Sequence, residues 1–313
     1  MNSIVPLSAP SDQADDAAGK IELVASDGAG QRLDRYLAGK LAGVSRSRLQ
    51  KWIALGAVSC EQRALVAKTR LRGDEALIVE PQPLAADSSF VAEPVDFEVL
   101  AQTPSFYVIN KPVGLVVHPG AGNWHGTLMN GLLHRYAGLA ALPRAGIVHR
   151  LDKDTSGLLV VAANESAREQ LIGQLADHSL SRQYLAICAG HVVGEQVLTG
   201  PIGRDPSNRL RMAVRADGKP ARTSARPLAT GSIDGQVITL LHCRLSTGRT
   251  HQIRVHLSAA GHPLIGDKVY GGPACGVTRQ MLHAWRLSLS RRVDGDSGAF
   301  ASTPPEDFLL AIE

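Results

Sequence analysis

The segment GIVHRLDKDTSGLLVVA at Gly146–Ala162 sets a mostly polar cluster, His149–Gly157, between two apolar flanks. Polar groups beside a buried run need hydrogen-bond partners or a functional role. One interpretation is a hairpin-like turn, because Asp, Thr, Ser and Gly are common turn formers. The other is a functional site, since Arg150 and Asp152 point to the same face if the chain is extended. The residues alone leave both interpretations open.

A second segment, Thr247–Gly272, carries basic residues at short intervals among residues that favour burial. A guanidinium in such a place, as at Arg254, requires a carboxylate or phosphate partner. His251, His256 and His262 suggest metal ligation as an alternative, but their spacing matches no standard zinc pattern. We therefore expect no metal at this segment.

The rest of the C-terminal two thirds has the pattern of an α+β fold. From Phe97 onward, β-like runs such as Phe106–Ile109 and Val237–Leu241 alternate irregularly with helical stretches such as Glu165–His178. The 31 glycines and 17 prolines punctuate these runs. The pattern predicts a large mixed or antiparallel sheet. The sequence contains no motif typical of nucleotide, dinucleotide or zinc-protease sites.

Composition limits the class of protein further. A chain of 313 residues predicts two domains, and its 44% hydrophobic content predicts a sizeable core. No apolar run is long enough to cross a membrane, and the acidic first thirty residues do not resemble a secretion signal. The four cysteines lie far apart, which argues against disulfide and zinc frameworks. We expect a cytoplasmic protein without membrane contact.

Positive charge is concentrated near the N-terminus, where residues 31–80 hold ten Lys and Arg residues against five Asp and Glu residues. The spacing predicts helices over Gln31–Leu41 and from Ser45 to Gly56, followed by short β-like runs. This order resembles the small S-four-type RNA-binding domain, although a solvated pair of charged helices remains an alternative. The basic residues expected to contact RNA are Arg32, Arg35, Arg46, Arg48 and Lys51.

Proline-rich residues 81–94 have the composition of a linker. We therefore predict a flexible N-terminal tail over residues 1–20, an S-four-like domain over 21–80, this linker, and a catalytic domain over 95–313.

Three motifs follow one another in the larger domain: HRLDKDTSGL at His149–Leu158, RQYLA at Arg182–Ala186, and GRTHQIRVH with GHPLIGD within Gly248–Asp267. With VINKPVGLVVHPGAG at Val108–Gly122, they resemble the successive motifs of the RluA family of pseudouridine synthases, over about Phe97–Phe308. Within that family the motif sequences are most similar to those of the RluD subgroup, whose substrate is the helix 69 stem-loop of 23S rRNA. The resemblance implies a catalytic domain of pseudouridine-synthase type.

The resemblance also assigns roles to individual residues. Asp152 is the expected catalytic carboxylate and Arg254 its charge partner. Tyr184 is expected to pack against the flipped uracil, with its hydroxyl a candidate to take the C5 proton, and Arg150 to occupy the place that the base vacates. The residues expected to shape the substrate site are His149, Thr155, His251 and Gln252, while Lys111 and Asp267 are expected to be structural or to face RNA.

Isomerisation of uridine to pseudouridine exchanges one bond of the base for another without net redox change, so the resemblance implies no cofactor. A carboxylate can attack the sugar or remove a sugar proton, and both routes stay open. The expected partner is 23S rRNA or a pre-50S particle, bound by a monomer. The alternatives are the same reaction on another rRNA site or a tRNA, an N-glycosidase, and a non-catalytic RNA-binding ribosome-assembly factor.

Overall fold

The chain divides into two compact units, Met1–Ser89 and Phe90–Glu313. The computed structural model describes residues 20–41, 44, 46–61, 63–81, 91–120, 122–208 and 211–312. Most of the predicted tail and most of the predicted linker therefore lie outside the described residues, as does Ser45, the predicted start of the second helix. The domain boundaries given above stay predictions.

The N-terminal unit is a small sheet with two helices. Its elements are β1 (Ile21–Val24), α1 (Leu33–Lys40), α2 (Arg46–Ala54), β2 (Val58–Cys60) and β3 (Ala76–Val79). The three strands are antiparallel, in the order β1-β3-β2. Leu33 and Leu37 of α1 and Leu49 of α2 are fully buried in one core, as their helical spacing predicts. The predicted helices and strands are thus present, while the likeness to an S-four-type domain stays a prediction.

A buried carboxylate joins the two helices of this unit. Asp34 of α1 is fully buried and accepts hydrogen bonds from Arg32, Arg46 and Gln50, at distances between 2.6 and 3.1 Å. Burial acts to raise the pKa of Asp34, but hydrogen bonds from Arg32, Gln50 and Arg46 outweigh it and lower the pKa to about 2. The charged carboxylate therefore stabilises the contact between α1 and α2.

Asp34→Asn is expected to lower the free energy of unfolding of the N-terminal unit by about 2 kcal/mol at neutral pH. The stabilisation exists above the ordinary pKa of 3.8 and is lost as the pH falls through the folded-state value of about 2. Hydrogen exchange of peptides that cover α1 and α2 measures the difference. An equal exchange rate in the two proteins at pH 7 would contradict the assignment of Asp34 as a structural anion.

The C-terminal unit is built on a large sheet. Its strands are β4 (Glu98–Gln102), β5 (Phe106–Lys111), β6 (Ser156–Ala162), β7 (Ser181–Ala189), β8 (Gln196–Leu198), β9 (Ile202–Arg204), β10 (Met212–Val214), β11 (Thr223–Ile233), β12 (Gln236–Leu245), β13 (Leu282–Ser288) and β14 (Ala299–Ala301). Its helices are α3 (Leu128–Arg135), α4 (Glu165–Ala176), α5 (Gln252–Ala259) and α6 (Glu306–Leu309), with a 3-10 helix at Ala137–Ala141.

Nine strands of the described residues form one sheet, in the order β4-β5-β6-β13-β7-β12-β11-β8, with β14 paired to β13. Strands β6 and β13 are parallel, and the other neighbours in this sheet are antiparallel. Strands β9 and β10 form a separate antiparallel pair. The prediction of an α+β fold with a large mixed sheet is confirmed.

Strand β6 lies at the centre of the core because it is apolar on both faces. All seven of its residues are buried. Leu159 and Val161 pack into a cluster with residues of α3 and α5, whereas Leu158 and Val160 pack into a second cluster with residues of α4. Its Gly157 has φ +106°, and a Cβ there would lie 2.2 Å from the carbonyl oxygen of Ala284 in β13. The close contact between the two parallel strands therefore requires glycine.

Candidate active site

The polar residues before β6 form a turn that borders a cavity. Residues 148–155 belong to no strand, and the Thr155 N–H donates to the Asp152 carbonyl oxygen at 3.1 Å. The turn interpretation is therefore confirmed, yet Arg150 and Asp152 also line the same cavity of about 450 Å³. Tyr184 of β7 and Arg254 of α5 are further wall residues. The fold thus brings together three elements that are far apart in the sequence.

A second cavity of about 510 Å³ adjoins the first. The two share Arg150, Asp152, His251 and Arg254 as wall residues, and the second also borders Lys268 and Arg279. Asp152 therefore lies where two recesses meet, which gives an extended ligand room on both sides of its carboxylate.

Arg254 lies between two carboxylates. Its Nε and Nη2 donate to the two carboxylate oxygens of Asp267 at 2.7 and 2.9 Å, and its Nη1 donates to Oδ2 of Asp152 at 3.1 Å. Burial opposes the charge of Arg254, but the two carboxylates outweigh it and raise the pKa of the guanidinium. Asp267 is fully buried, whereas the Asp152 side chain keeps 18% of its exposure. The network orients Asp152 and leaves it accessible from the cavity.

Asp267 has a larger structural role than its motif indicates. Its Oδ1 also accepts hydrogen bonds from the backbone N–H groups of Val269 and Tyr270, at 3.1 and 3.2 Å. These backbone hydrogen bonds fix the Asp267 carboxylate independently of its contacts with Arg254, so it can orient the guanidinium. The sequence does carry a signal for this role of Asp267. A buried guanidinium has three donor nitrogens, and Asp152 alone cannot accept hydrogen bonds from all of them.

His251 lies beside the other oxygen of Asp152. It precedes α5 in the left-handed conformation, with φ 56°, which is a strained geometry of the kind found at functional sites. Its Nδ1 is 2.8 Å from the Tyr270 hydroxyl, and its Nε2 is 3.9 Å from Oδ1 of Asp152. Burial lowers the pKa of His251, so the imidazole is neutral near pH 7. Oδ1 itself accepts no hydrogen bond from the described residues.

Tyr184 lines the cavity from β7 and is 6% exposed. None of the described residues forms a hydrogen bond with its hydroxyl group. Burial raises the pKa of Tyr184, so the hydroxyl is protonated in the resting site. Its ring forms part of the cavity wall, and its hydroxyl can accept a proton only after it has lost its own.

Two basic side chains hold the turn that carries Asp152. Nζ of the fully buried Lys111 donates to the carbonyl oxygens of Pro112, Leu115 and Lys153, at 2.7 to 2.9 Å. Arg279 Nη1 donates to the carbonyl oxygen of Asp154 at 3.1 Å. These contacts rigidify the turn from both sides, and they confirm the structural alternative that we expected for Lys111.

Three more of the predicted site residues support the cavity wall. Nε2 of His149 accepts a hydrogen bond from the Val160 N–H at 3.1 Å, and burial lowers the pKa of His149 to about 3. Thr155 Oγ1 accepts from Gln280 Nε2 at 3.3 Å. Gln252 bridges neighbouring segments through the Arg222 carbonyl and the Thr223 and Thr247 hydroxyls. Arg150, by contrast, is exposed and has no partner among the described residues.

The basic residues predicted in the N-terminal unit have different surroundings. Arg32 and Arg46 pair with Asp34, as described above, so part of their hydrogen-bonding capacity is used within the fold. Arg35 is exposed and has no partner among the residues described. The side chains of Arg48 and Lys51 lie outside the described residues.

The histidines of the second motif do not converge on one point. His251 contacts Tyr270, His256 contacts Thr223 and Gly200, and His262 contacts the Ala189 carbonyl. Within the described part of the chain, no group of three or more His, Cys, Asp and Glu residues is arranged to hold a metal ion. Over the same residues, no helix has the length and apolar character needed to span a membrane.

Comparison with known proteins points to one family. Residues 105–259 match the family described as RNA pseudouridylate synthase. The chain is 46% identical to ribosomal large subunit pseudouridine synthase D of Nitrosomonas europaea, over 94% of this chain and 87% of that protein. It is 44% identical to the protein of the same name from Neisseria meningitidis serogroup A, over 91% of this chain and 79% of that protein.

A solved structure gives the same result for the fold. Human RNA pseudouridylate synthase domain containing 1 superposes with a TM-score of 0.57 at 26% identity, over 72% of this chain and 87% of that chain. Sequence and structure thus agree on a shared ancestry over most of the length, and the resemblance seen in the motifs is confirmed. The chain belongs to the RNA pseudouridylate synthase family and is an isomerase of uridine in RNA.

Proposed function

We propose that this protein converts uridine to pseudouridine in the rRNA of the large ribosomal subunit, with Asp152 as the catalytic carboxylate. The observation that carries the proposal is the state of that carboxylate. Arg254 binds Oδ2 at 3.1 Å, while Oδ1 accepts no hydrogen bond from the described residues. One oxygen therefore fixes the orientation and the other is available to a ligand. The relatives named above, which act on the large subunit by name, support this substrate.

The chemistry needs few groups. The C1′–N1 bond breaks, C1′ joins C5 of the same base, and the proton of C5 is lost while N1 gains one. Asp152 either attacks C1′ or removes a sugar proton, and the free Oδ1 serves both routes. The reaction uses no cofactor. The cavity of about 450 Å³ holds a uracil ring together with part of its sugar.

The target base must leave its stack to reach Asp152, at a cost of a few kcal/mol. Tyr184 is the wall residue that packs against the flipped uracil, and a rigid aromatic ring suits that contact. Arg150 is exposed at the rim shared by both cavities, so its planar head can occupy the vacated place in the RNA. The positions of both side chains in the cavity walls support these assignments.

We further propose the helix 69 stem-loop of 23S rRNA as the site, either in free rRNA or in a pre-50S particle. The protein acts as a monomer in the cytoplasm, and its S-four-like domain, residues 21–80, contacts the RNA. Another rRNA site or a tRNA is the nearest alternative, because target choice depends on RNA shape and on contacts outside the catalytic motifs. A non-catalytic assembly factor would not need the paired Asp152 and Arg254.

The test is to incubate the protein with unmodified large-subunit rRNA and to map pseudouridine by carbodiimide labelling and primer extension. Stops in the helix 69 loop that vanish with Asp152→Ala are the expected result. Stops at other positions would keep the reaction and reassign the substrate. Their absence from both rRNA and tRNA would favour the RNA-binding factor.

Deletion of residues 1–80 is expected to weaken RNA binding and to reduce its dependence on salt. Each lost phosphate contact reduces the magnitude of the slope of log affinity against log salt by about 0.7 to 0.9, and exposed Arg35 is one cation removed by the deletion. Filter binding at several salt concentrations measures the slope, with Asp152→Asn in full-length protein as the matched control. An unchanged slope, or aggregation of the remaining chain, would contradict the two-domain interpretation.

A further inference from the structure

Arg182 of β7 is a buried arginine in the wall of the active-site cavity. It is 7% exposed and lines the same recess as Asp152 and Tyr184. Its Nε is shielded from solvent and has no hydrogen-bond partner in the part of the chain that the structure describes. None of the described residues accepts a hydrogen bond from its two Nη atoms or forms an ion pair with it. The side chain therefore places an unsatisfied cation at the cavity.

The other buried arginines of this region are satisfied within the protein. Arg254 binds Asp267 and Asp152 with all three of its nitrogens. Arg279 binds Asp307 through Nε and Nη2, at 2.6 and 2.8 Å, and backbone carbonyls through Nη1. An unpaired charge withdrawn from water is costly. Arg182 is thus an exception, and a bound anion would offset the free-energy cost of burying its unpaired charge.

The chain also makes room for this guanidinium. A Cβ at position 248 would lie 2.6 Å from Nη1 of Arg182, so a side chain there would displace the end of the guanidinium. Gly248 is not among the glycines with positive φ, so its backbone conformation alone would accept other residues. The glycine therefore leaves the guanidinium of Arg182 in its present position against the cavity.

The remaining charges around the cavity point to an anionic ligand. Arg144, Arg150 and Arg249 join Arg182 in its wall, whereas Asp152 is its one carboxylate among the described residues. Asp152 is already paired with Arg254. Burial is the main cause that lowers the pKa of Arg182; the neighbouring Tyr184 acts to raise it, and Arg249 lowers it further. An anion bound between these cations would offset both the cost of burying the charge of Arg182 and its repulsion with Arg249.

We propose that Arg182 binds one of the two backbone phosphates that flank the flipped uridine. The inference rests on the proposed function, and it identifies a phosphate as the group that binds beside Arg182. A guanidinium fork matches two phosphate oxygens, and each RNA nucleotide brings one fixed negative charge. A uracil carbonyl is neutral and would leave the excess of guanidinium groups uncompensated. Phosphate therefore fits the site better than the base does.

The first test uses stem-loop RNA in which one flanking phosphate at a time is replaced by an uncharged methylphosphonate. With intact protein, one replacement is expected to lower kcat/KM roughly 10- to 100-fold, as the loss of a charge-assisted hydrogen bond does. With Arg182→Met the same replacement is expected to have little further effect, since its partner is already gone. Arg226→Met removes an exposed arginine of β11 that lines neither cavity, and it is the matched control.

An equal methylphosphonate penalty in intact protein and in Arg182→Met would overturn the proposal. Loss of the methylphosphonate penalty in Arg226→Met as well as in Arg182→Met would also overturn it, because the effect would then not be specific to Arg182. Arg182→Lys keeps the charge but loses the fork, and it is expected to retain part of the penalty. If no RNA acquires pseudouridine, the proposed function fails, and the assignment of Arg182 is then decided by a measurement that needs no turnover.

That measurement is the melting temperature in phosphate and in chloride at equal ionic strength. Inorganic phosphate is expected to raise the melting temperature of intact protein and of Arg226→Met more than that of Arg182→Met. Without phosphate, Arg182→Met is expected to melt no lower than intact protein, because the change removes an unpaired buried charge. A lower melting temperature of Arg182→Met, with the phosphate effect retained, would assign Arg182 a purely structural role.

Discussion

Asp152→Asn is expected to abolish pseudouridine formation, with a loss on the order of 10³-fold or more, the range seen when a catalytic side chain is removed. The amide cannot attack C1′ as a carboxylate does, and it is too weak a base to take a sugar proton. Its oxygen still accepts the hydrogen bond that Arg254 Nη1 donates to Oδ2 at 3.1 Å. Folding and RNA binding should therefore remain close to those of intact protein.

Tritium release from RNA labelled at C5 of uridine measures the turnover, and filter binding measures the affinity. Asp96→Asn is the matched control, because this exposed acid of the same unit lines neither cavity. It is expected to keep most of the activity. Retention of more than trace turnover by Asp152→Asn, with RNA binding unchanged, would remove Asp152 from the catalytic role.

Arg254→Met is expected to remove activity and to lower the free energy of unfolding by about 3–5 kcal/mol, the cost of breaking a buried ion pair from one side. Asp267 is fully buried and would lose both of its contacts with the guanidinium, while Asp152 would lose its orientation. Arg254→Lys keeps the charge but makes a single contact where the guanidinium makes three. We expect the lysine variant to be more stable than the methionine variant and still slow.

The double variant Arg254→Met with Asp267→Asn separates stability from catalysis. It leaves no uncompensated charge in the core, so it is expected to recover much of the lost unfolding free energy. Activity is not expected to return, since Asp152 stays without its partner. Urea unfolding followed by circular dichroism measures the first quantity, and tritium release the second. Strictly additive effects of the two changes on stability would contradict the network formed by Arg254 and Asp267.

Much of the site could be predicted because its chemistry resides in short motifs. Asp152, Tyr184 and Arg254 each lie within one of the three motif segments, and the structure places all three around one cavity. The family and the mixed sheet were likewise predictable, since motif order and the alternation of strands are properties of the chain itself. These features depend on residues that are near one another in sequence.

The roles of several neighbours could not be predicted in the same way. His149 belongs to the motif of Asp152 and lines the same cavity, but the sequence does not show that its Nε2 accepts a hydrogen bond from the Val160 N–H. Lys111 lies 42 residues before Lys153, whose carbonyl it binds. A motif shows which residues occur together, whereas it does not show which atoms each side chain meets.

By itself, the sequence determined the fold class and the family, and it predicted Asp152 and Arg254 as the carboxylate and the cation that we propose for the reaction. Only the tertiary structure decided that Asp267 satisfies Arg254, that Lys111 and Arg279 hold the turn, and that Arg182 is buried without a partner among the described residues. The physical reason is that burial and charge pairing depend on distances between atoms. Those distances are set when β7, α5 and the turn before β6 pack together, and they cannot be read from residue types and spacing.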